Sequence, residues 1–158
     1  VQEIPAGISD GIRLAREFTG SDRLMVMLGD NLVSETFYDT IKDFETGSLG
    51  CRIFLKKLPN VDGLGVALIK DQKLEQVIEK PSRFISNLAV TGIYLFDNRC
   101  FDMIDDLYPS GRNELEVTDL INAYIKLKAC DAYEIEGHWL DAGTFDSLQK
   151  AGMIFDGD

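Results

Sequence analysis

The chain has 158 residues, of which 45% are hydrophobic and 27% are charged, a balance typical of one globular domain. Its formal net charge of −11 at pH 7 argues against a nucleic-acid surface, which needs a basic footprint. The same charge repels phosphorylated ligands, so binding one would require local Lys or Arg side chains, or a divalent cation held by carboxylates.

Apolar periodicity and turn residues predict helices and strands that alternate along the chain. In chain order they are a helix at 9–18, a strand at 23–28, a helix between Ser34 and Gly47, a strand at 51–58, two strands at 66–69 and 74–79, a strand at 88–96, helices at 98–107 and 117–128, a strand at 132–135 and a final helix from 145. Elements mixed in this way predict a three-layer α/β domain with a mixed, mostly parallel sheet.

The strand at 23–28 ends in a candidate site. Its five apolar residues, 24–28, suit a strand that is buried on both faces, as in a parallel sheet. Gly29 then allows the backbone to bend, and Asp30 projects from the carboxyl end of the strand, where open α/β sheets bind ligands. The structural alternative is an ordinary turn, because Asp30 and Asn31 can bond their own backbone.

Three further clusters follow strands or precede helices. Residues 70–73 predict a hairpin turn, and the second hairpin strand ends at Glu79-Lys80-Pro81, where the proline predicts an extended Lys80. Arg112 lies in a loop that leads into the helix at 117–128, and Asp141 ends an apolar segment. Ordinary roles are open for all of them, since strand exits and helix caps use the same residue types.

Two of these carboxylates and two of these cations suit phosphate chemistry. Asp30 and Asp141 are predicted to share one Mg²⁺, an ion that takes one or two carboxylates together with phosphate oxygens. Lys80 and Arg112 would then supply the local positive charge that an acidic chain needs. No glycine-rich loop between a strand and a helix is present to bind a triphosphate.

Cysteine and hydropathy patterns predict a cytoplasmic protein. The three cysteines are far apart and form no CxxC pair, which favours a reducing compartment. One histidine is too few for a two-histidine metal site. No apolar run reaches the ~18 residues of a membrane span, and the first residues do not resemble a signal peptide. Neither a membrane nor a nucleic acid is an expected partner.

Six ordered motifs resemble the sugar-1-phosphate nucleotidyltransferases, with the glucose-1-phosphate thymidylyltransferases the most similar. They are LGDN at 28–31, GV at 65–66, EKP at 79–81, AVTGIYLFDN at 89–98, NELEVTDLINAY at 113–124 and HWLDAGTFDSLQKA at 138–151. The resemblance covers the whole chain. It implies a Rossmann-like nucleotidyltransferase fold, here one partial domain over 1–158.

The resemblance also implies a reaction. A nucleoside triphosphate, dTTP first among the candidates, and glucose 1-phosphate would give dTDP-glucose and pyrophosphate with Mg²⁺ as cofactor, in the synthesis of deoxysugar and polysaccharide precursors. A uridylyl- or cytidylyltransferase is an alternative within the family, and a sugar-phosphate-binding or structural module without turnover is another. The full-length protein would be a homo-oligomer.

Site residues follow from the resemblance position by position. The segment VQEIPAG resembles the base-recognition loop. Substrate contacts are implied for Gln2, Gly7, Asn31, Gly65, Glu79, Lys80, Val90, Thr91 and Arg112. Catalytic roles are implied for Asp30, Lys80 and Arg112, and Mg²⁺ ligation for Asp30 and Asp141. The family's usual Arg-Gly is Arg112-Asn113 here, and Asn restricts the backbone more than Gly.

The family's glycine-rich triphosphate loop would precede the first residue of this sequence. The chain is therefore expected to represent roughly the C-terminal two thirds of a catalytic domain and to be inactive alone. In the family the preceding segment supplies a strand beside the one at 23–28. Without it, that strand is expected to have one unpaired edge and less cover than its composition demands.

Overall fold

The computed structural model describes residue 2 and residues 4–155. The helices are α1 Ile8–Arg13, α2 Arg16–Thr19, α3 Tyr38–Thr46, α4 Arg99–Asp105, α5 Val117–Lys126 and α6 Phe145–Phe155. The strands are β1 Leu24–Met27, β2 Asn31–Val33, β3 Cys51–Lys57, β4 Val66–Lys70, β5 Lys73–Ile78, β6 Leu88–Phe96, β7 Cys130–Glu134 and β8 Trp139–Asp141. None of the helices in these ranges is long and apolar enough to cross a membrane.

Strand β6 is the centre of the main sheet. Along one edge it pairs antiparallel with β3, and its other edge is shared by β4 near Ala89 and by β1 at residues 93–96. The strand order is β5-β4-β6-β3-β7, with β1 beside β6 and β7 parallel to β3. A separate two-stranded ribbon pairs β2 with β8 antiparallel.

Helices cover both faces of the sheet, which confirms the predicted three layers. Side chains alternate between the faces along a strand, so the neighbours Ile53 and Phe54 belong to different cores. Ile53 packs in the larger core with α5 residues such as Tyr124. Phe54 packs in the smaller core with Phe44 of α3 and Ile93 of β6. The long apolar strand β6 therefore contributes to both cores.

The sheet is mixed, as predicted, but it is not mostly parallel. Of the strand pairs in the described ranges, only β3 with β7 is parallel; β6 runs against β1, β3 and β4, and β4 runs against β5. The prediction took continuous apolar runs as the mark of parallel strands. A central antiparallel strand that is covered by helices on both faces requires the same composition.

Several predicted elements have shifted ends. The expected helix at 9–18 is two short helices separated by a turn at Leu14 and Ala15, where the Ala15 N–H donates to the carbonyl oxygen of Ile12 at 2.9 Å. The helix expected to begin after Ser34 begins at Tyr38 instead, and the Ser34 hydroxyl oxygen accepts from the backbone N–H of His138. The hairpin between β4 and β5 is confirmed, and its turn residues Asp71 and Gln72 both have positive φ, of 48° and 61°, as a type I′ turn requires.

Strand β1 is only partly covered. Among the described residues it pairs with β6 alone, and Met25 and Met27 are 40% and 45% exposed. The prediction that residues 24–28 are buried on both faces is wrong, because an apolar composition does not report whether neighbours are present. The expectation of one unpaired edge and reduced cover is confirmed.

We expect the chain to self-associate in solution through β1, because an unpaired edge with apolar side chains is a template for strand pairing. Met27→Lys places a charge on this strand and should shift the chain toward the monomer in sedimentation velocity. Met153→Lys, at an exposed methionine of α6, is the matched control and should leave association unchanged. A wild-type chain that is monomeric at every concentration tested would contradict this expectation.

Candidate active site

The β2–β8 ribbon brings together two acids that are far apart in sequence. Asn31 of β2 lies opposite Asp141 of β8, and the backbone N–H of Ala142 donates to the carbonyl oxygen of Asp30 at 2.7 Å. Asp30 and Asp141 thereby lie on adjacent backbone segments, as the predicted shared cation requires.

Gly143 leaves a gap between the two carboxylates. A Cβ atom at this glycine would lie 2.9 Å from Asp141 Oδ1 and 3.3 Å from Asp30 Oδ2, so both oxygens border the same small space. Mg²⁺ binds oxygen at about 2.0–2.1 Å, and two carboxylate oxygens around one gap fit such an ion. The described residues contain no group of three or more His, Cys, Asp or Glu side chains placed for a metal, so a ligand or water would complete the coordination.

Asn31 fixes the orientation of Asp30. Its side chain is 5% exposed, and its Nδ2 donates to Asp30 Oδ1 at 2.9 Å. Its Oδ1 accepts from the backbone N–H of Gly92 at 2.8 Å and from Trp139 Nε1 at 2.7 Å. A Cβ at Gly92 would lie 2.5 Å from Asn31 Nδ2, so a glycine in β6 is what allows this approach.

A cavity of about 210 Å³ opens beside the acid pair. Its lining contains eight of the predicted site residues: Asp30, Asn31, Gly65, Glu79, Lys80, Val90, Thr91 and Asp141. Gly65 presents bare backbone to the cavity, and a Cβ there would come into ordinary contact with Glu79 Oε2 at 3.5 Å. Thr91 is fully buried and its hydroxyl donates to the carbonyl oxygen of Phe54 at 2.8 Å. That proton is therefore not available to donate to a ligand.

Arg112 does not line this cavity, but it bonds to Glu79, which does, and it lies in a cluster of carboxylates. Its Nη2 donates to Glu79 Oε1 at 3.1 Å and to Glu116 Oε2 at 2.8 Å, and its Nε donates to Glu116 Oε1 at 3.2 Å. Lys80 Nζ lies 3.8 Å from Glu79 Oε1. The two predicted phosphate-binding cations are thus joined through Glu79, the residue predicted to hold sugar hydroxyls.

Hydrogen bonding sets the charge of this cluster. Burial raises the pKa of Glu116, but hydrogen bonds from Arg112 and Ser110 and the positive charge of Arg112 outweigh it, so the pKa is lowered. The hydrogen bond to Glu116 likewise raises the pKa of Arg112. Both groups are therefore charged throughout the neutral range.

The backbone at the two cations differs from the sequence prediction at one position. Lys80 has φ of +40°, so the expected extended conformation before Pro81 is wrong; the chain bends at residues 79–80 instead. Asn113 has φ of +60°, a left-handed conformation that Asn tolerates better than most residues other than Gly. The Arg112-Asn113 pair therefore adopts a turn that Gly would also adopt.

A larger groove of about 750 Å³ lies alongside β1, and its lining contains the three remaining predicted residues, Gln2, Gly7 and Arg112. Gln2 Nε2 donates to the carbonyl oxygen of Gly7 at 3.1 Å and to Asp10 Oδ2 at 2.8 Å. Gly7 has φ of +96°, and a Cβ there would collide with the backbone of Leu115. Glu79 and Lys80 line this groove too, and residues 1 and 3 of the same loop lie outside the described ranges.

Residues 1–156 match the family model described as nucleotidyl transferase. The chain belongs to the nucleotidyl transferase family. It is 36% identical over 156 residues to the low-salt glycan biosynthesis nucleotidyltransferase Agl11 of Haloferax volcanii, covering 98% of this chain and 44% of that protein. It is 34% identical to a glucose-1-phosphate thymidylyltransferase of Neisseria meningitidis, covering 98% of this chain and 55% of that protein.

A solved structure agrees with the fold of this chain. A Bacillus anthracis protein, provisionally assigned as a glucose-1-phosphate thymidylyltransferase and crystallised with a sucrose, superposes with a TM-score of 0.93 at 38% identity. The match covers 100% of this chain and 64% of that one. The chain spans about half the length of the curated relatives it matches. The partial nucleotidyltransferase fold predicted from the sequence is confirmed.

Glu116 is a partner of the predicted residue Arg112 that the sequence did not indicate. It lies inside the predicted motif at 113–124, yet nothing marked it as the partner of Arg112. The one available signal is the separation of four residues, which joins opposite charges on helices. The spacing of four does not indicate this pair, because Arg112 is in a loop and Glu116 immediately precedes α5.

Proposed function

We propose that the chain forms the sugar-phosphate half of an Mg²⁺-dependent nucleotidyltransferase that joins dTTP and glucose 1-phosphate. The products are dTDP-glucose and pyrophosphate. The observation that carries this proposal is the convergence, around one cavity of about 210 Å³, of the acid pair Asp30 and Asp141 with Glu79 and Lys80. The names of two relatives, both glucose-1-phosphate thymidylyltransferases, support the choice of base and sugar.

The proposed roles follow from the chemistry of each side chain. Glu79 accepts hydrogen bonds from sugar hydroxyls, and the bare backbone at Gly65 lets the sugar approach closely. Lys80 and Arg112 bind the sugar phosphate and counter the repulsion from the acidic chain. A bound Mg²⁺, held by Asp30 and Asp141, would neutralise phosphate charge at the reacting centre.

The transfer itself needs positioning more than covalent chemistry from the protein. An oxygen of the sugar phosphate forms a bond to the α-phosphorus, and the bond from that phosphorus to the bridging oxygen of pyrophosphate breaks. No proton has to move, because the attacking oxygen is already ionised at neutral pH. Lys80 and Arg112 hold the nucleophile in line, and Asn31 keeps Asp30 oriented through the bond at 2.9 Å.

Titration of glucose 1-phosphate into the chain tests this assignment. We expect Lys80→Ala to weaken binding by about tenfold or more, since a charge-assisted hydrogen bond to phosphate is lost. Lys73→Ala, at an exposed lysine beside the β4–β5 turn, removes the same charge away from the cavity and should change affinity less than twofold. Equal affinities for wild type and Lys80→Ala would remove Lys80 from the site.

A further inference from the structure

Glu116 is placed to hold Arg112 rather than to meet a ligand. It is 9% exposed, and both of its carboxylate oxygens accept from the Arg112 guanidinium, at 3.2 and 2.8 Å. Ser110 Oγ donates to Glu116 Oε1 at 2.6 Å. A carboxylate held from two sides in this way is itself fixed, so it fixes the plane of the guanidinium that it binds.

The arrangement leaves two N–H donors of Arg112 for a substrate. Arginine has five N–H donors in a rigid fork. The Nε donor and the two Nη2 donors are directed to Glu116 and Glu79. Within the described residues, Nη1 donates no hydrogen bond to the protein. Its two donors are the ones left for an incoming anion, and their direction is set by the bond pair to Glu116.

We propose that Glu116 is a positioning residue, which holds the guanidinium of Arg112 by its Nε and Nη2 so that Nη1 faces the sugar phosphate. This inference rests on the proposed function of the site that Arg112 and Glu79 share. A buried acid would thereby help to bind an anion. Glu116 acts through Arg112: the better orientation of the guanidinium strengthens phosphate binding by more than the negative charge of Glu116 weakens it.

Glu114 provides a matched comparison. Its Oε2 lies 3.6 Å from Arg112 Nη2, beyond hydrogen-bond distance, and its side chain is 41% exposed. Glu114→Gln and Glu116→Gln remove the same charge from the same loop. Only Glu116→Gln removes the bidentate contact, so the pair separates positioning from net charge.

The experiment measures the affinities of glucose 1-phosphate and of glucose for wild type, Glu116→Gln, Glu114→Gln and Ser110→Ala, by calorimetry and NMR titration at pH 7.5. We expect Glu116→Gln to weaken glucose 1-phosphate binding by about tenfold, as for loss of one charge-assisted contact. Glucose binding should change less than twofold, and so should glucose 1-phosphate binding to Glu114→Gln. Ser110→Ala should weaken phosphate binding by a smaller factor, and it serves if Glu116→Gln does not fold.

A double-mutant cycle with Arg112→Ala completes the test. In that background Glu116→Gln should cause no further loss, since there is no guanidinium to position. Equal losses in both backgrounds, a parallel loss of glucose binding, or tighter phosphate binding by Glu116→Gln would each overturn the inference while leaving the proposed function intact. A wild-type chain that binds glucose 1-phosphate no better than inorganic phosphate would overturn both.

Discussion

The purified 158-residue chain, given dTTP, glucose 1-phosphate and Mg²⁺, is expected to release no measurable pyrophosphate. Among the described residues that line the cavity and the adjoining groove, the cations are Lys80 and Arg112. Arg112 is already bonded to two carboxylates. The β- and γ-phosphates of dTTP therefore meet no set of donors in these residues that could hold them for departure.

The expected deficit is large. Losing a single donor to a transition-state oxyanion costs about 10²–10³ in rate, and phosphoryl transfer depends almost wholly on positioning and charge stabilisation. The rate should lie at least about a thousandfold below that of a full-length relative such as the Neisseria meningitidis enzyme, measured by coupled pyrophosphate detection. Asp30→Asn controls for a contaminating enzyme. Pyrophosphate release with equal amounts of dTDP-glucose, lost in Asp30→Asn, would contradict the expectation.

Much of the fold could be predicted because its strongest elements carry local signals. Strand β6 is rich in branched and aromatic apolar residues, and its predicted bounds of 88–96 agree with the structure. The β4–β5 hairpin has a polar tetrapeptide, residues 70–73, between two segments that contain apolar β-formers. In both cases a few consecutive residues determine the element, so no distant contact is needed to recognise it.

The β2–β8 ribbon could not be predicted in the same way. Each strand has three residues, too few for a periodic pattern, and the partners are more than 100 residues apart. Their pairing depends on Asn31, whose amide joins Gly92 of β6 to the indole of Trp139. The chemistry of Asp30 and Asp141 indicated that they form a pair. The contacts that bring them together, the β2–β8 pairing and the hydrogen bonds of Asn31, are tertiary and carry no local sequence signal.

The burial of β1 and the ion pairs of Arg112 also could not be predicted from the sequence. Apolar residues in β1 predicted a covered strand, whereas cover depends on neighbours that the described chain does not supply on one edge. Arg112 was predicted to supply positive charge for phosphate, but the sequence did not indicate that its guanidinium is paired with Glu79 and Glu116. Composition reports which groups are present, and it does not report which of them are already paired.

The second large effect is expected at the acid pair. Mn²⁺, which takes the same oxygen ligands as Mg²⁺, is the probe, with binding followed by electron paramagnetic resonance. Asp30→Asn and Asp141→Asn should each weaken binding by about tenfold or more, because each removes one of two charged ligands. Both variants should stay folded, since Asn can keep the hydrogen bonds that the carboxylates accept from Asn31 and from the Gly143 N–H.

Gly143→Ala tests the geometry and leaves both charges in place. Its methyl group would lie 2.9 Å from Asp141 Oδ1 and 3.3 Å from Asp30 Oδ2, so it would displace the Asp141 carboxylate and occupy the gap between the two acids. We expect a loss of Mn²⁺ affinity as large as that of either Asn variant. Gly111→Ala adds the same methyl group where no atom lies within 4 Å, and it should bind Mn²⁺ like the wild type. An ion and the added methyl group cannot both occupy the space between the two carboxylates. If Gly143→Ala binds Mn²⁺ with wild-type affinity, the cation is therefore not held between Asp30 and Asp141, whatever the affinities of the Asn variants.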